Sequence, residues 1–380
     1  MKDMKLAVLG AHGRGRISIM AHRPGEGFHL VAASGHTTDG LDIYREKCGD
    51  SIRLTADYRE IIADKNIDAV FICTPDYLHL EHTLAALQAG KTVFLEKPMA
   101  ISIEDCDAIL AAAESKQGRL YVGHNMRFFP VMRKMHELIS EGRIGKVETI
   151  WCRHFVGMGG DAYFKNYNSE RKYSNSLLLQ KGAHDIDIIH WLAGGHTRRV
   201  VGMGKLSVYN RVENRRSADD FAPRGEITQV NWPPLSQTGL SPVINVEDLS
   251  MILMDLDNGV QASYMQCHYA PDTHRNYTVI GTEGRIENYG HASNRDNWAT
   301  VHLWNQRTTY SELGHEIFRI PFIEGSHGGA DPLMIDDFLN FLRGQECAES
   351  ATPWDARMAV ATGCQGARSL REGSIPLSVS

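Results

Sequence analysis

The chain has 380 residues and a formal net charge of −6, from 40 Lys+Arg against 46 Asp+Glu with histidine neutral. At roughly 150 residues per domain this is a two- or three-domain length, and 42% hydrophobic with 23% charged residues excludes general disorder. The mild acidic excess carries no Lys/Arg block, which argues against nucleic acid as a partner, and no apolar run reaches the ~18 residues a membrane span needs.

Residues 5–9 (KLAVL) form a short continuous apolar run, the mark of a parallel strand buried on both faces. A glycine-rich turn follows, and 15–21 reads as the start of a helix. The next strand is 28–33 (FHLVAA), followed by a short helix over 57–63 with Asp57 as its N-cap. A third strand at 69–73 stops at Thr74-Pro75. Residues 76–88 carry apolar side chains at 80, 84 and 87, a helical face that Gly90 terminates. Strands at 92–95 and 120–122 enclose a helix over 103–116. This alternation predicts a doubly wound parallel sheet, with ligands at the carboxyl ends of its strands.

Beyond Phe129 the pattern changes. A helix over 131–140 leads to strand-like runs at 147–156, 200–208, 249–256, 260–269 and 275–280. The run MILMDLDNGVQASYMQCHY reads as a hairpin around Asn258-Gly259. Helices over 332–342 and 354–371 close the chain, the first entered from a Gly- and His-containing loop (325–331) with Asp331-Pro332 reading as its N-cap and N1. The fold class is therefore α/β followed by α+β: a doubly wound parallel domain over 1–125, then a mostly antiparallel domain over 126–380. A Pro-, Arg- and Asn-rich excursion spans 211–245.

Gly10-Ala11-His12-Gly13-Arg14-Gly15 lies between the first strand and first helix, where backbone N–H groups can approach a pyrophosphate. His12 stands where the second glycine of G-x-G-x-x-G belongs. The second strand ends Ser34-Gly35-His36-Thr37-Thr38, with no carboxylate before Asp39. An acidic residue there would grip the ribose 2′-hydroxyl of NAD. Its absence leans towards NADP, with Ser34, Thr37, Thr38 and Arg14 available to a 2′-phosphate. Gly35 and His36 are counted with these cofactor-binding residues, as are Thr74, Glu96 and Lys97. Lys97 leaves a buried strand at the bend Glu96-Lys97-Pro98. Burial would lower its pKa towards the range useful for moving a hydroxyl proton, whereas a surface Glu–Lys salt bridge is the equal alternative from spacing alone.

The glycine turn, TPDYLHLEHTLAALQAGKTVFLEKPMA and the later KGAHDIDIIHWLAGG resemble the Gfo/Idh/MocA oxidoreductases. The resemblance implies a Rossmann domain, an antiparallel sheet domain and NAD(P)-dependent oxidation or reduction of sugars and polyols. It also implies a homodimer or homotetramer joined through the open sheet face. Carried over, Gly10, Gly13 and Gly15 hold the dinucleotide, Pro75 lies near the nicotinamide, and His79 and Glu96 shape that pocket. Lys97 becomes the catalytic lysine, preceding a cis Pro98, with His184 sharing the substrate proton. Asn125, Arg127 and Asp187 become substrate-side residues.

One departure stands out: Gln180 and Lys181 occupy the region where many sugar dehydrogenases of this family have an aspartate four residues before the histidine. Glutamine cannot carry a proton away, so more of that work falls on Lys97 and His184. Lys181 adds a positive charge to the pocket or is a solvated first-turn residue. Two alternatives follow: a glycoside hydrolase working by transient oxidation and elimination, or a cofactor-binding regulator without catalysis. His184-x-x-Asp187-x-x-His190 has ligand-like spacing, but His190 beside Trp191-Leu192 reads as packing, and no metal is expected. Seven singly scattered cysteines without C-x-x-C, and a start with no signal-peptide pattern, indicate a cytoplasmic protein.

Overall fold

Short apolar runs that bury both faces pair in parallel. The computed structural model describes residues 3–116, 118–217, 231–290, 299–345 and 349–380. In it, β1 (Met4–Leu9), β2 (Phe28–Ser34), β3 (Arg53–Thr55), β4 (Ala69–Ile72), β5 (Thr92–Glu96) and β6 (Leu120–Gly123) form a parallel sheet. The order β3-β2-β1-β4-β5-β6 reverses direction after β1. The glycine turn after β1 and the loops after β4 and β5 therefore meet at the switch point, where doubly wound sheets bind ligands.

Helices α1 (Asp42–Cys48), α2 (Tyr58–Ala63), α3 (His79–Gln88) and α4 (Ile103–Ser115) connect the strands. Asp57 caps α2 by accepting the Arg59 N–H at 3.0 Å, as its position predicts. Helix α1 and strand β3 escaped the sequence pattern: α1 buries one side chain, Tyr44, and β3 has three residues. The helix expected after the glycine turn is a 3₁₀ helix, Gly13–Ala21. Ser18 returns its hydroxyl to the Gly15 carbonyl at 2.8 Å, a local bond that competes with α-helical pairing.

The chain divides into two compact units, Met1–Phe128 with Gly325–Arg357, and Phe129–Glu324 with Met358–Ser380. The boundary expected at 125/126 lies near the first division, but assigning everything after it to one domain needs correction. The helix Ala330–Leu342 and the start of the helix Pro353–Arg371 belong to the first unit. The reason is an aromatic layer. Phe338 stands edge-on to Phe71 and Phe94, with ring centroids 5.0 and 5.2 Å away, and packs on Tyr121 at 5.4 Å. The Tyr121 hydroxyl also donates to Asp337 at 2.9 Å, and Arg119 donates to the Leu342 carbonyl at the helix's end.

In the second unit, β7 (Val147–Phe155), β8 (Thr197–Lys205), β9 (Leu249–Leu256), β10 (Gln261–Cys267), β11 (His274–Gly281), β12 (Arg285–Tyr289), β13 (Ala299–Trp304), β14 (Glu316–Ile320) and β15 (Leu377–Ser378) form one sheet. Its order is β14-β13-β12-β11-β7-β10-β9-β8-β15. The pair β7–β10 is parallel and the other pairs are antiparallel. Gly259, at φ +90°, turns the expected β9–β10 hairpin. Helices Pro130–Ser140 and Gly182–Ala193 pack on one face.

The other face is open and apolar. Met203, Met251 and Met265 lie side by side across β8, β9 and β10, and a parallel row carries Val201, Leu253, Ser263 and Trp151. Leu253 is 63% exposed and Met203 60%. Of the excursion expected over 211–245, residues 218–230 lie outside the described residues, as does Cys347. Its returning part buries Leu240 with Phe164 and Tyr209, and Val246 just beyond it joins the same cluster. Among the described residues, no helix is long and apolar enough to cross a membrane.

Candidate active site

In the first unit, the glycine turn is folded tightly onto the ends of β2 and β4. Gly10 and Ala11 both donate their N–H to the Ser34 carbonyl at 2.9 Å. Gly10 has φ +79°, and a Cβ there would lie 2.5 Å from the Cys73 carbonyl oxygen. A Cβ on Gly15 would lie 2.1 Å from the Gly10 carbonyl oxygen, so both glycines are demanded by the turn itself. Gly13 differs: at φ +53° it has nothing within 4 Å of a Cβ position, leaving its backbone open to a ligand. These are the features a pyrophosphate needs at such a turn.

The loops after β4 and β5 are stapled by His79, which is buried. Its Nδ1 lies 2.8 Å from the Pro98 carbonyl oxygen and its Nε2 3.0 Å from that of Thr74. Thr74 also meets His82 Nδ1 through its hydroxyl at 3.0 Å. Pro75 follows at the head of the short turn into α3, and the Lys97–Pro98 peptide is cis as the resemblance implied. Cys73 is buried, and burial holds its thiol well above the usual range.

Glu96 turns its carboxylate to the glycine turn and to the backbone. Glu96 accepts Arg14 Nε at 2.6 Å on one oxygen and the backbone N–H of Lys97 at 3.1 Å on the other. Lys97 itself is half-buried, less enclosed than the strand-end position suggested. Arg14 continues to Asp331, donating through Nη1 at 2.6 Å and Nη2 at 2.9 Å. Asp331, fully buried, also accepts Ser326 Oγ at 2.6 Å and Asn125 Nδ2 at 3.0 Å, with His327 Nδ1 2.7 Å away. Burial works against its charge, but His327 and Arg14 hold its carboxyl well below the ordinary range.

The clamp engages residues for which the sequence suggested other roles. Arg14 is bidentate on Asp331 and bonded to Glu96, so its guanidinium is held by two carboxylates of the first unit. Asp331 is not the N-cap of the closing helix; that position is Gly329, at φ +84°, and the carboxylate points to Arg14 instead. Asn125 and Arg127, expected to face substrate, are engaged in the first unit's own closing segment. Arg127 is buried, with Nη2 3.5 Å from Asp355 and Nη1 donating to the Ser350 carbonyl at 3.4 Å.

In the second unit, Gln180 ends the helix Leu177–Gln180, and Lys181 joins it to the helix Gly182–Ala193, which carries His184 and Asp187. His184 is 8% exposed and Asp187 is fully buried. His190 Nε2 lies 2.8 Å from the Thr197 hydroxyl, a packing role rather than a ligand's. Among the described residues, no group of three or more His, Cys, Asp or Glu side chains is arranged to hold a metal.

Sequence reasoning missed Asp185, the residue that seats this helix. Its buried carboxylate receives Tyr264 Oη at 2.8 Å, His154 Nδ1 at 2.9 Å and the Tyr277 hydroxyl, with Arg275 Nε 2.9 Å away. Burial opposes its charge, yet Arg275 and His154 hold its carboxyl well below the usual range. Burial, reinforced by Arg275, pushes His154 down to about 3. The donors come from β7, β10 and β11, so nothing local in HDID revealed them.

Residues 4–124 match the model of an oxidoreductase family with an NAD-binding Rossmann fold, and residues 136–379 match the same family's C-terminal alpha/beta domain. An oxidoreductase of Bacillus subtilis (strain 168), YteT, is 26% identical over 320 residues, covering 74% of each chain. An inositol 2-dehydrogenase/D-chiro-inositol 3-dehydrogenase of Lactiplantibacillus plantarum is 25% identical, over 86% of this chain and 80% of that one. The solved structure of a levoglucosan dehydrogenase, in complex with NADH and levoglucosan, covers both chains completely at a TM-score of 0.77 and 20% identity, a likeness of fold. With both domain models matched and the glycine turn, EKP bend and HDID helix where the fold requires them, the chain belongs to the Gfo/Idh/MocA family of oxidoreductases.

Proposed function

We propose that the protein interconverts an alcohol and a carbonyl group on a sugar, cyclitol or sugar derivative, using NAD or NADP. The observation that carries this reading is the placement of Lys97. It leaves the end of β5 through a backbone fastened to Glu96, which Arg14 of the glycine turn grips in turn. A side chain able to move a proton is thus fixed relative to the turn that would hold the dinucleotide's pyrophosphate. The inositol and levoglucosan dehydrogenases among the similar proteins supply the substrate class.

The open backbone at Gly13 and the stapled Thr74-Pro75 loop fit a dinucleotide, with Gly10, Gly13 and Gly15 forming the turn. When bound, its nicotinamide supplies the hydride acceptor. The chain's own part is to orient the reactants and to move the proton. Lys97 Nζ, as the neutral amine, takes the proton from the substrate hydroxyl while the hydrogen on the same carbon departs as hydride. His184 assists that transfer, and Gln180, Lys181 and Asp187 bind substrate hydroxyls. The strand end at 34–38, free of carboxylates, favours NADP.

The test is initial rates of nicotinamide reduction with NAD and NADP against a panel of sugars, cyclitols and sugar acids. Net reduction with at least one polyol is the expected result. Glycoside cleavage without net reduction would replace the reading with transient-oxidation hydrolysis, and cofactor binding with no turnover on either panel would replace it with a regulator.

The open methionine-rich sheet face supports a homodimer or homotetramer, because four adjacent strands present one continuous apolar surface. Leu253→Glu is expected to shift the particle to a one-chain mass in light scattering, while its far-UV circular dichroism stays unchanged. An unchanged oligomer mass would remove this face from the interface.

A further inference from the structure

The glycine turn contains two large side chains, His12 and Arg14, and the direction of His12 is informative. His12 does not lie over the open backbone of Gly13. Its ring folds back across the end of β2, where Nε2 lies 2.9 Å from the Asp39 carbonyl oxygen. It packs beside His36, with ring centroids 4.7 Å apart and planes tilted by 48°. The approach is close enough to dictate residue 35: a Cβ there would sit 2.4 Å from His12 Cε1 and 2.6 Å from Nδ1. Gly35 is thus the residue that lets the ring lie against the strand end.

In a doubly wound sheet, the adenosine ribose is recognised at this strand end, ordinarily by a carboxylate that accepts from the 2′-hydroxyl. Here residues 34–38 contain no carboxylate, and an imidazole lies there instead. Its tautomer follows from its partner. A carbonyl only accepts, so Nε2 carries the proton and Nδ1 of the neutral ring is an acceptor. Such a nitrogen accepts from a 2′-hydroxyl without the charge that repels a 2′-phosphate. With one further proton it becomes a donor to that phosphate. Arg14, the other basic candidate in the turn, is already held by Glu96 and Asp331.

We propose that His12, backed by His36, reads the 2′ position of the dinucleotide's ribose and admits the 2′-phosphate of NADP. This deepens the dinucleotide-dependent reading above and rests on it.

The experiment is equilibrium binding of NADH and NADPH, followed by nicotinamide fluorescence, which needs no substrate. His12→Asp places a carboxylate in the turn, and its like charge is expected to weaken NADPH about tenfold or more relative to NADH. His12→Ala removes the donor and is expected to lower the NADPH preference about fivefold, whereas His12→Gln, which keeps an amide donor and acceptor, stays within about twofold of wild type. His36→Ala, at an exposed position, is expected to lower the preference about twofold and provides a second arm should a His12 variant fail to fold. A preference unchanged in His12→Asp and His12→Ala would overturn the assignment while leaving dinucleotide binding intact. If the wild-type protein binds neither NADH nor NADPH, the dinucleotide reading itself fails and this one falls with it.

Discussion

Lys97→Met is expected to lower turnover by about 10²–10⁴-fold, the range a positioned acid–base group supplies, with NADH affinity within about twofold of wild type. Methionine keeps the length of the stem and removes the proton carrier. Glu96 takes its hydrogen bond from the backbone N–H of residue 97, which the substitution leaves in place, so the grip of Arg14 on the strand end persists. The loss should therefore fall on kcat rather than on cofactor binding. Rates measured for both proteins, with NADH titrations alongside, decide the matter. Turnover that survives in Lys97→Met would assign the proton to another group.

Asp185→Ala is expected to cost about 3–5 kcal/mol, a large share of the ~5–15 kcal/mol that holds a domain folded. The carboxylate is the common acceptor of donors from three strands, and Arg275 is left buried beside an apolar methyl group when it is removed. Urea unfolding at pH 7.5 measures the loss, and a difference under about 1 kcal/mol would show that the network is not what seats the helix.

The same cluster gives stability a defined pH dependence. His154 titrates near 3 in the folded protein and near 6.5 when unfolded. The unfolded chain therefore binds the additional proton first, and stability is full above about 6.5 and declines as pH falls towards 3. Asp185, whose folded carboxyl lies below its ordinary value, adds a second decline that begins below about 4. His154→Gln should flatten the upper part of the profile and also shrink the lower part, because it removes one of the groups that hold Asp185 down.

Most of the first sheet was legible because each of its longer strands is a compact apolar run punctuated by glycine or proline. β4 (Ala69–Ile72) and β5 (Thr92–Glu96) end where Thr74-Pro75 and Lys97-Pro98 break the pattern. What sequence could not show were contacts made at long range. Asp331 looks like a helix cap because Pro332 follows it, but its donors include Arg14, which is far away in the chain. Asp185 lay beside the histidine that drew attention, and only the pairing of β7, β10 and β11 brings Cys152, His154, Tyr264 and Tyr277 under it. In the second unit, β12 (Arg285–Tyr289) and β14 (Glu316–Ile320) alternate too weakly to register, since β14 leaves four of its five residues at least partly exposed.

The aromatic layer built on Phe338 sets the timetable of the protein's birth. Phe71, Phe94 and Tyr121 are translated early, but the ring that closes over them emerges only after nearly the whole second unit has been made. A nascent chain paused near residue 324 therefore carries a parallel sheet with an uncovered greasy face, the state in which a ribosome-bound chaperone has most to grip. Clasping the first unit with a late segment makes its completion report on the synthesis of nearly everything before it.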